Sequence, residues 1–291
     1  MTRRNAALLV ALGAVWGAVY PLTSLALREL EPPAVVVART ALGAMVLFPL
    51  AAHQRVLGWF RARPRGLLVA ALLQATIPLV LLTTGQQHVP AGLAGILVGT
   101  QPVWAGVLTA TAERTVQPRE VAGLLLGLGG VVLLFARDLT LSGTAATAGA
   151  GALVLAAAFF YGAGTVYIQR RLPEVPPLAI ATAAMSVSAV ALAPFVLATA
   201  RPAPDAPTAA WLVALGVVGT GAALVWFYGL IQRVGAVRAN LTAYLAPGFA
   251  VVYDAAFLHG PLTVTMLGGL VLVTAGSLLV GAPRALQPSQ R

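Results

Sequence analysis

Read for hydropathy, the chain is a run of apolar blocks about twenty residues long, each closed by a short cluster of turn and charged residues. Blocks of that length match the hydrocarbon thickness of a bilayer at the helical rise. Ten helices are predicted: 6–27, 33–52, 66–87, 91–112, 118–136, 148–169, 177–199, 208–230, 236–258 and 262–281. The separators, such as "RELEPP", "HQRVLGWFRARPR", "QRRLPEVPP" and "RPAPDAP", carry the proline and charge that stop helices. The first block, Ala6 to Leu27, is longer than the apolar core of a secretion signal, and its pattern recurs later, so it is read as a span.

Alternate separators differ in charge. One set, with the termini, holds fourteen arginines, among them Arg4, Arg63, Arg114, Arg171 and Arg233; the other holds Arg28, Arg137 and Arg201, offset by four acids. Cytoplasmic segments are enriched in arginine and lysine. The split predicts a multi-pass protein of the cytoplasmic membrane with both termini inside. It also accounts for the net charge of +10 without a nucleic-acid partner.

The pattern repeats at an offset of 145 residues. Trp16-Gly17 aligns with Tyr161-Gly162, Pro49 with Pro194, Val89 with Val234, and Pro102 with Pro247. Two repeats are expected, 1–140 and 141–291, each of five helices. Because five is odd, the second is expected to lie inverted in the membrane, a construction that places a substrate site near the midplane.

Composition then excludes several chemistries. The chain is 59% hydrophobic and 9% charged, against about 25% charged in soluble domains. It has no cysteine, and all 18 basic residues are arginine, so neither a thiolate metal site nor a P-loop lysine is available. No ATPase activity or cofactor is implied. The three histidines lie far apart, and no metal site is expected. A membrane enzyme would need paired acids or a nucleophile–base pair at depth, whereas the one acid well inside a span is Asp254.

The candidate pathway residues are the polar and aromatic side chains inside the spans: Trp16, Tyr20, Arg39, Gln74, Gln101, Trp104, Tyr161 and Tyr244. Trp16 and Tyr161 lie too deep for interfacial anchors and suit the walls of a ligand cavity. Pro102 and Pro247 are expected to kink their helices, since proline leaves a carbonyl unpaired in a medium that cannot hydrate it. Arg39 cannot shed its charge. It lies six residues past Pro33, ~9 Å in, and Asp254 lies five residues short of His259, ~7.5 Å in, on the helical rise. Intramembrane charges tend to pair. The matching depths give an expected Arg39–Asp254 interaction near the outer mouth, with a possible proton-coupling role. The glycine pairs Gly13/Gly17 and Gly95/Gly99 are expected to serve close helix packing.

With Trp16-Gly17, Arg39, Pro102, Glu113-Arg114, Gly123 and Gly130, then Tyr161-Gly162, Pro247, "PLT" at 261–263, Gly269 and Gly276, the chain resembles the EamA-type members of the drug/metabolite transporter superfamily along nearly its whole length. It departs from the family pattern at Leu258-His259-Gly260-Pro261-Leu262, where the usual glutamate is replaced by Gly260. The resemblance implies an all-α membrane bundle that exports a small organic metabolite, amino-acid-like or drug-like, through a cavity lined by helices 1–4 and 6–9. The alternatives are an uncoupled facilitator, a lipid or sugar-phosphate translocator, or an integral membrane enzyme.

Overall fold

The computed structural model describes residues 3–113, 145–197, 203–234 and 242–281 apart from Pro261, together with scattered positions between 118 and 133. Among the described residues every regular element is a helix. Helix α1 is Arg3–Ala26 and α2 is Pro32–His53. A short helical turn, Gly58–Ala62, precedes α3, Pro64–Ala71. Helix α3 runs through a π-helical stretch, Leu72–Thr76, into α4, Ile77–Gly85. Next come α5, Ala91–Val98, and α6, Gln101–Glu113. Helix α7 is Ala145–Arg171 and α8 is Pro177–Leu197. Helix α9, Ala206–Val213, passes through a second π-helical stretch, Ala214–Ala222, into α10, Ala223–Val234. Helices α11, Thr242–Phe257, and α12, Val264–Gly281, complete the described chain.

Among the described residues seven spans are long and apolar enough to cross a membrane, and Leu245–Phe257 and Val264–Gly276 are shorter apolar helices. The protein is therefore a multi-pass membrane protein whose described elements are all helical. Most of the predicted fifth helix, 118–136, lies outside the described residues, and those of its positions that are described are helical. The bundle is apolar outside as well as inside: Met45, Phe48, Val190, Phe195, Leu197 and Val271 all project outward. Facing water such a surface would aggregate, whereas facing acyl chains it costs nothing.

The fourth span departs from expectation. Instead of a continuous helix kinked at Pro102, the helix stops at Val98, turns at Gly99–Thr100, and restarts at Gln101. Pro102 thus falls in the first turn of α6, where its missing N–H is not needed. The Thr100 hydroxyl donates to the Leu97 carbonyl (2.7 Å) and accepts from the Trp104 indole N–H (3.2 Å), which secures the break. Pro247, by contrast, lies inside α11 as predicted.

Both π-helical stretches hold a threonine that donates to the carbonyl five residues back, Thr76 to Ala71 (3.4 Å) and Thr220 to Leu215 (2.7 Å). Such widened turns often sit at functional sites.

Helix packing exchanges partners between the two parts of the chain. Helix α1 lies along α11, and α7 lies along α6; α2 packs on α8. The first π stretch packs on α8, and the second packs on α2. The closest approaches repeat residue by residue. Gly17 faces Ala246, Phe249 and Ala250, while Gly162 faces Gln101, Trp104 and Ala105. The four pairs 17/162, 101/246, 104/249 and 105/250 each differ by 145. Gln74 packs on Gly164, and Gly219 on Val19, again with 74/219 and 19/164 at the same offset. The Thr76–Ser188 hydroxyl pair, at 2.8 Å, corresponds to the bare contact of Gly221 with Gly43.

The connections meet at both ends of the bundle. Before α3, Arg63 forms an ion pair with Glu174, at 2.6 Å, from the loop before α8. At the other end the Glu29 carboxylate accepts from the Asp205 backbone N–H (3.2 Å). Both contacts are solvated and add little stability. They place the two loops of each pair at a common end.

Candidate functional site: a central cavity

A cavity of about 100 Å³ opens where α1, α2, the two π stretches, α6, α7 and α11 converge. Its walls include Trp16, Tyr20, Arg39, Gln74, Gln101 and Tyr161, all expected from sequence, and Pro247. Trp104 is not among the lining side chains: its ring packs edge-on against Phe159 at 5.8 Å. Pro102 is buried away from the cavity. Tyr244 belongs to α11, and its side chain lies outside those described. Thr220, Phe227 and Leu224 line the wall and were not anticipated. Thr220 gives no periodic signal, because its direction is set by a π turn that hydropathy does not reveal.

The polar groups fall into two clusters. In the first, Gln74 Nε2 donates to the Tyr161 carbonyl (3.1 Å) and to Thr165 Oγ1 (2.9 Å), and Gln101 Nε2 reaches the same hydroxyl at 3.4 Å. Thr165 is the repeat counterpart of Tyr20, a signal that could have revealed it. In the second cluster, Arg39 Nε and Nη2 both donate to Thr220 Oγ1, at 3.1 and 2.7 Å. Arg39 is 2% exposed, and its Nη1 has no hydrogen-bond partner. It therefore faces the bundle interior and does not snorkel to the headgroups. The remaining wall is apolar and aromatic, with Trp16 edge-on to Phe227 at 4.9 Å.

The expected Arg39–Asp254 pair is not formed. Asp254 is buried on α11, but its Oδ2 accepts the Gly92 backbone N–H at 3.0 Å. Gly92 lies in the first turn of α5, whose N-cap, Pro90, supplies no side-chain acceptor. Asp254 thus caps a neighbouring helix, satisfying an orphan donor and complementing the positive end of the helix dipole. Equal depth fixed only one coordinate of each charge. The direction around the helix axis sent Arg39 to the π stretch and Asp254 to α5. Gly260, where the family pattern carries its acid, is the residue whose missing side chain makes room: a Cβ there would strike the Asp254 carboxyl. Among the described residues no group of three or more histidines or acids could hold a metal ion.

A multi-pass helical bundle with a small, mostly apolar cavity at the meeting point of its two parts is an architecture that membrane transporters use. The sequence matches the EamA-like transporter family twice, over residues 4–136 and 149–282, and the chain belongs to that family. It is 28% identical over 288 residues to the uncharacterized transporter YvbV of Bacillus subtilis (strain 168), covering 98% of this chain and 93% of that one. A probable terminal-alkyne amino-acid exporter of Streptantibioticus cattleyicolor is 30% identical over 233 residues, covering 77% and 76%. A solved crystal structure superposes with a TM-score of 0.71 at 17% identity, over 96% of this chain and 98% of that one, a likeness of fold.

Proposed function

We propose that this transporter exports a small organic molecule by alternating access, as two inverted five-helix repeats, 1–140 and 141–291, that together make ten membrane helices. The observation that carries the reading is the reciprocal packing at a constant offset of 145 residues, with the cavity at its centre. A contact exchanged in both directions between equivalent residues is the signature of a two-fold relation between halves. Two similar halves around one site can rock so that the site opens to either side in turn. The glycine contacts suit this, because backbones without side chains between them slide with few rotamer changes.

The pathway residues in this reading are Trp16, Tyr20, Arg39, Gln74, Gln101 and Tyr161. The arginine split supports cytoplasmic termini and residence in the cytoplasmic membrane. The relative named as an amino-acid exporter favours an amino-acid-like or drug-like substrate and outward transport. No ATP-hydrolysing partner or cofactor enters the cycle.

The test is counterflow of amino acids and small amphipathic compounds in liposomes bearing the purified protein. Gln101→Leu should cut transport while membrane insertion stays normal, and unchanged transport would remove Gln101 from the pathway. A cysteine at Ala203 should react with an impermeant thiol reagent outside intact cells, and one at Arg63 should not. The reverse pattern would sink the orientation.

A further inference from the structure

We infer that the cavity recognises the carboxylate of its substrate through the free edge of the Arg39 guanidinium, so that the cargo is a small organic carboxylate with an apolar body. The inference rests on the transport reading of the cavity and names the cargo class.

Three observations carry it. First, the charge is buried and has no carboxylate partner among the described residues. Arg39 sits seven residues into the 22-residue α2, at 2% exposure. Among the described residues the ionisable groups that act on it are the phenols Tyr161 and Tyr20, and the one acid buried inside the described helices is engaged with Gly92. A lone cation in such a place is costly unless an anion joins it.

Second, the hydrogen-bonding geometry leaves a docking edge. A guanidinium has five N–H donors in a rigid fork. Thr220 occupies the Nε–Nη2 edge with a single oxygen. On the Nη1–Nη2 edge, Nη1 is buried and has no hydrogen-bond partner among the described residues, and Arg39 lines the cavity. Two parallel N–H groups at that spacing match the two oxygens of a carboxylate.

Third, the fold does not need this pair. At the 145-residue offset, Arg39 corresponds to Ala184 and Thr220 to Ala75, both fully buried alanines in the equivalent helix contact. The symmetry-related contact builds the same packing with methyl groups. The arginine and its threonine are therefore an addition to one of two equivalent contacts between the halves. The facing wall, with Trp16, Phe227, Leu79 and Leu224, suits an apolar body, and it contains no acid to receive a second, positive charge.

The experiment measures thermal melting of the full chain, purified in detergent, so no transport is required. Butyrate, 3-phenylpropionate and phenylalanine are each compared with the corresponding amide, and with chloride at matched ionic strength. At least one acid should raise the melting temperature where its amide and chloride do not. Arg39→Gln should weaken that acid's apparent affinity roughly 10- to 100-fold, the range for a lost charged hydrogen bond. Ligand-free Arg39→Gln should melt at or above the wild type, because a stranded charge is removed while the amide can still reach Thr220. The inference is overturned if no acid protects, if acid and amide protect equally, if chloride protects as well as the acids, if Arg39→Gln keeps the acid response, or if ligand-free Arg39→Gln melts well below the wild type. An acid that binds in detergent yet is not moved in liposomes counts against the transport reading alone.

Discussion

Substituting the glycine at the centre of the exchanged contacts tests the repeat directly. In Gly162→Ala, the new methyl carbon would lie 2.9 Å from the Gln101 carbonyl oxygen, 3.0 Å from the Ala105 nitrogen and 3.0 Å from the Trp104 Cβ. Comfortable carbon contacts are ~3.5–4.0 Å, so α7 must back away from α6 by more than half an ångström. Two of the three obstacles are backbone atoms, and no rotamer change relieves them. Alanine gains up to ~1 kcal/mol over glycine in helix propensity. Overpacking a tight interface costs ~1–3 kcal/mol, and three simultaneous clashes with main-chain or near-main-chain atoms belong at the upper end. The net expectation is a loss of about 1–2 kcal/mol, combining these two terms. Gly149 lies on the same helix with nothing within 4 Å of a Cβ, so Gly149→Ala should instead gain ~0.5–1 kcal/mol. Gly17→Ala meets the equivalent atoms of Ala246, Phe249 and Ala250 and should match Gly162→Ala. Melting of detergent-purified variants, followed by a fluorescent fusion on size exclusion, reads all three. If Gly162→Ala is as stable as Gly149→Ala, or if only one of Gly17 and Gly162 is sensitive, the reciprocal packing does not hold the halves together.

Removing the cap in Asp254→Ala should destabilise the protein by ~1–3 kcal/mol by leaving the buried Gly92 N–H without its acceptor. Asp254→Asn keeps an acceptor oxygen and should recover most of that loss, so equal melting of the two variants would remove the capping role. At the head of α9, Asp205 accepts the Thr208 backbone N–H at 2.8 Å, and this bond holds its carboxyl below the ordinary value of 3.8. A lowered folded-state value means stability that is present above pH 3.8 and lost as the pH falls through the folded value. Asp205→Ala should therefore melt below the wild type at pH 7, with the gap closing as the pH is taken below 3.8; a gap that persists in acid would refute the charge-based cap.

The seven long spans among the described residues were legible in the sequence because a bilayer leaves an apolar run of that length the helix as its local solution. Apolar length sets the crossing, and backbone hydrogen bonding forces the helix. The repeat register was legible for a related reason: the glycines that allow backbone contact cannot be exchanged for larger residues, so Gly17 and Gly162 stayed in phase. The polar and aromatic side chains of the cavity wall, Thr220 and Phe227 apart, were legible because such groups deep in apolar helices have few places to go. What the sequence could not carry was direction around each helix axis. Depth along the chain put Arg39 and Asp254 level, but the packing of α2 on the second π stretch turned Arg39 toward Thr220, and the packing of α11 on α5 turned Asp254 toward Gly92. The π turn itself changes the angle per residue, so no 3.6-residue pattern could place Thr220 in the wall. The break at Gly99–Thr100 likewise depends on a hydroxyl between Leu97 and Trp104, a tertiary choice that turned an expected kink into two helices.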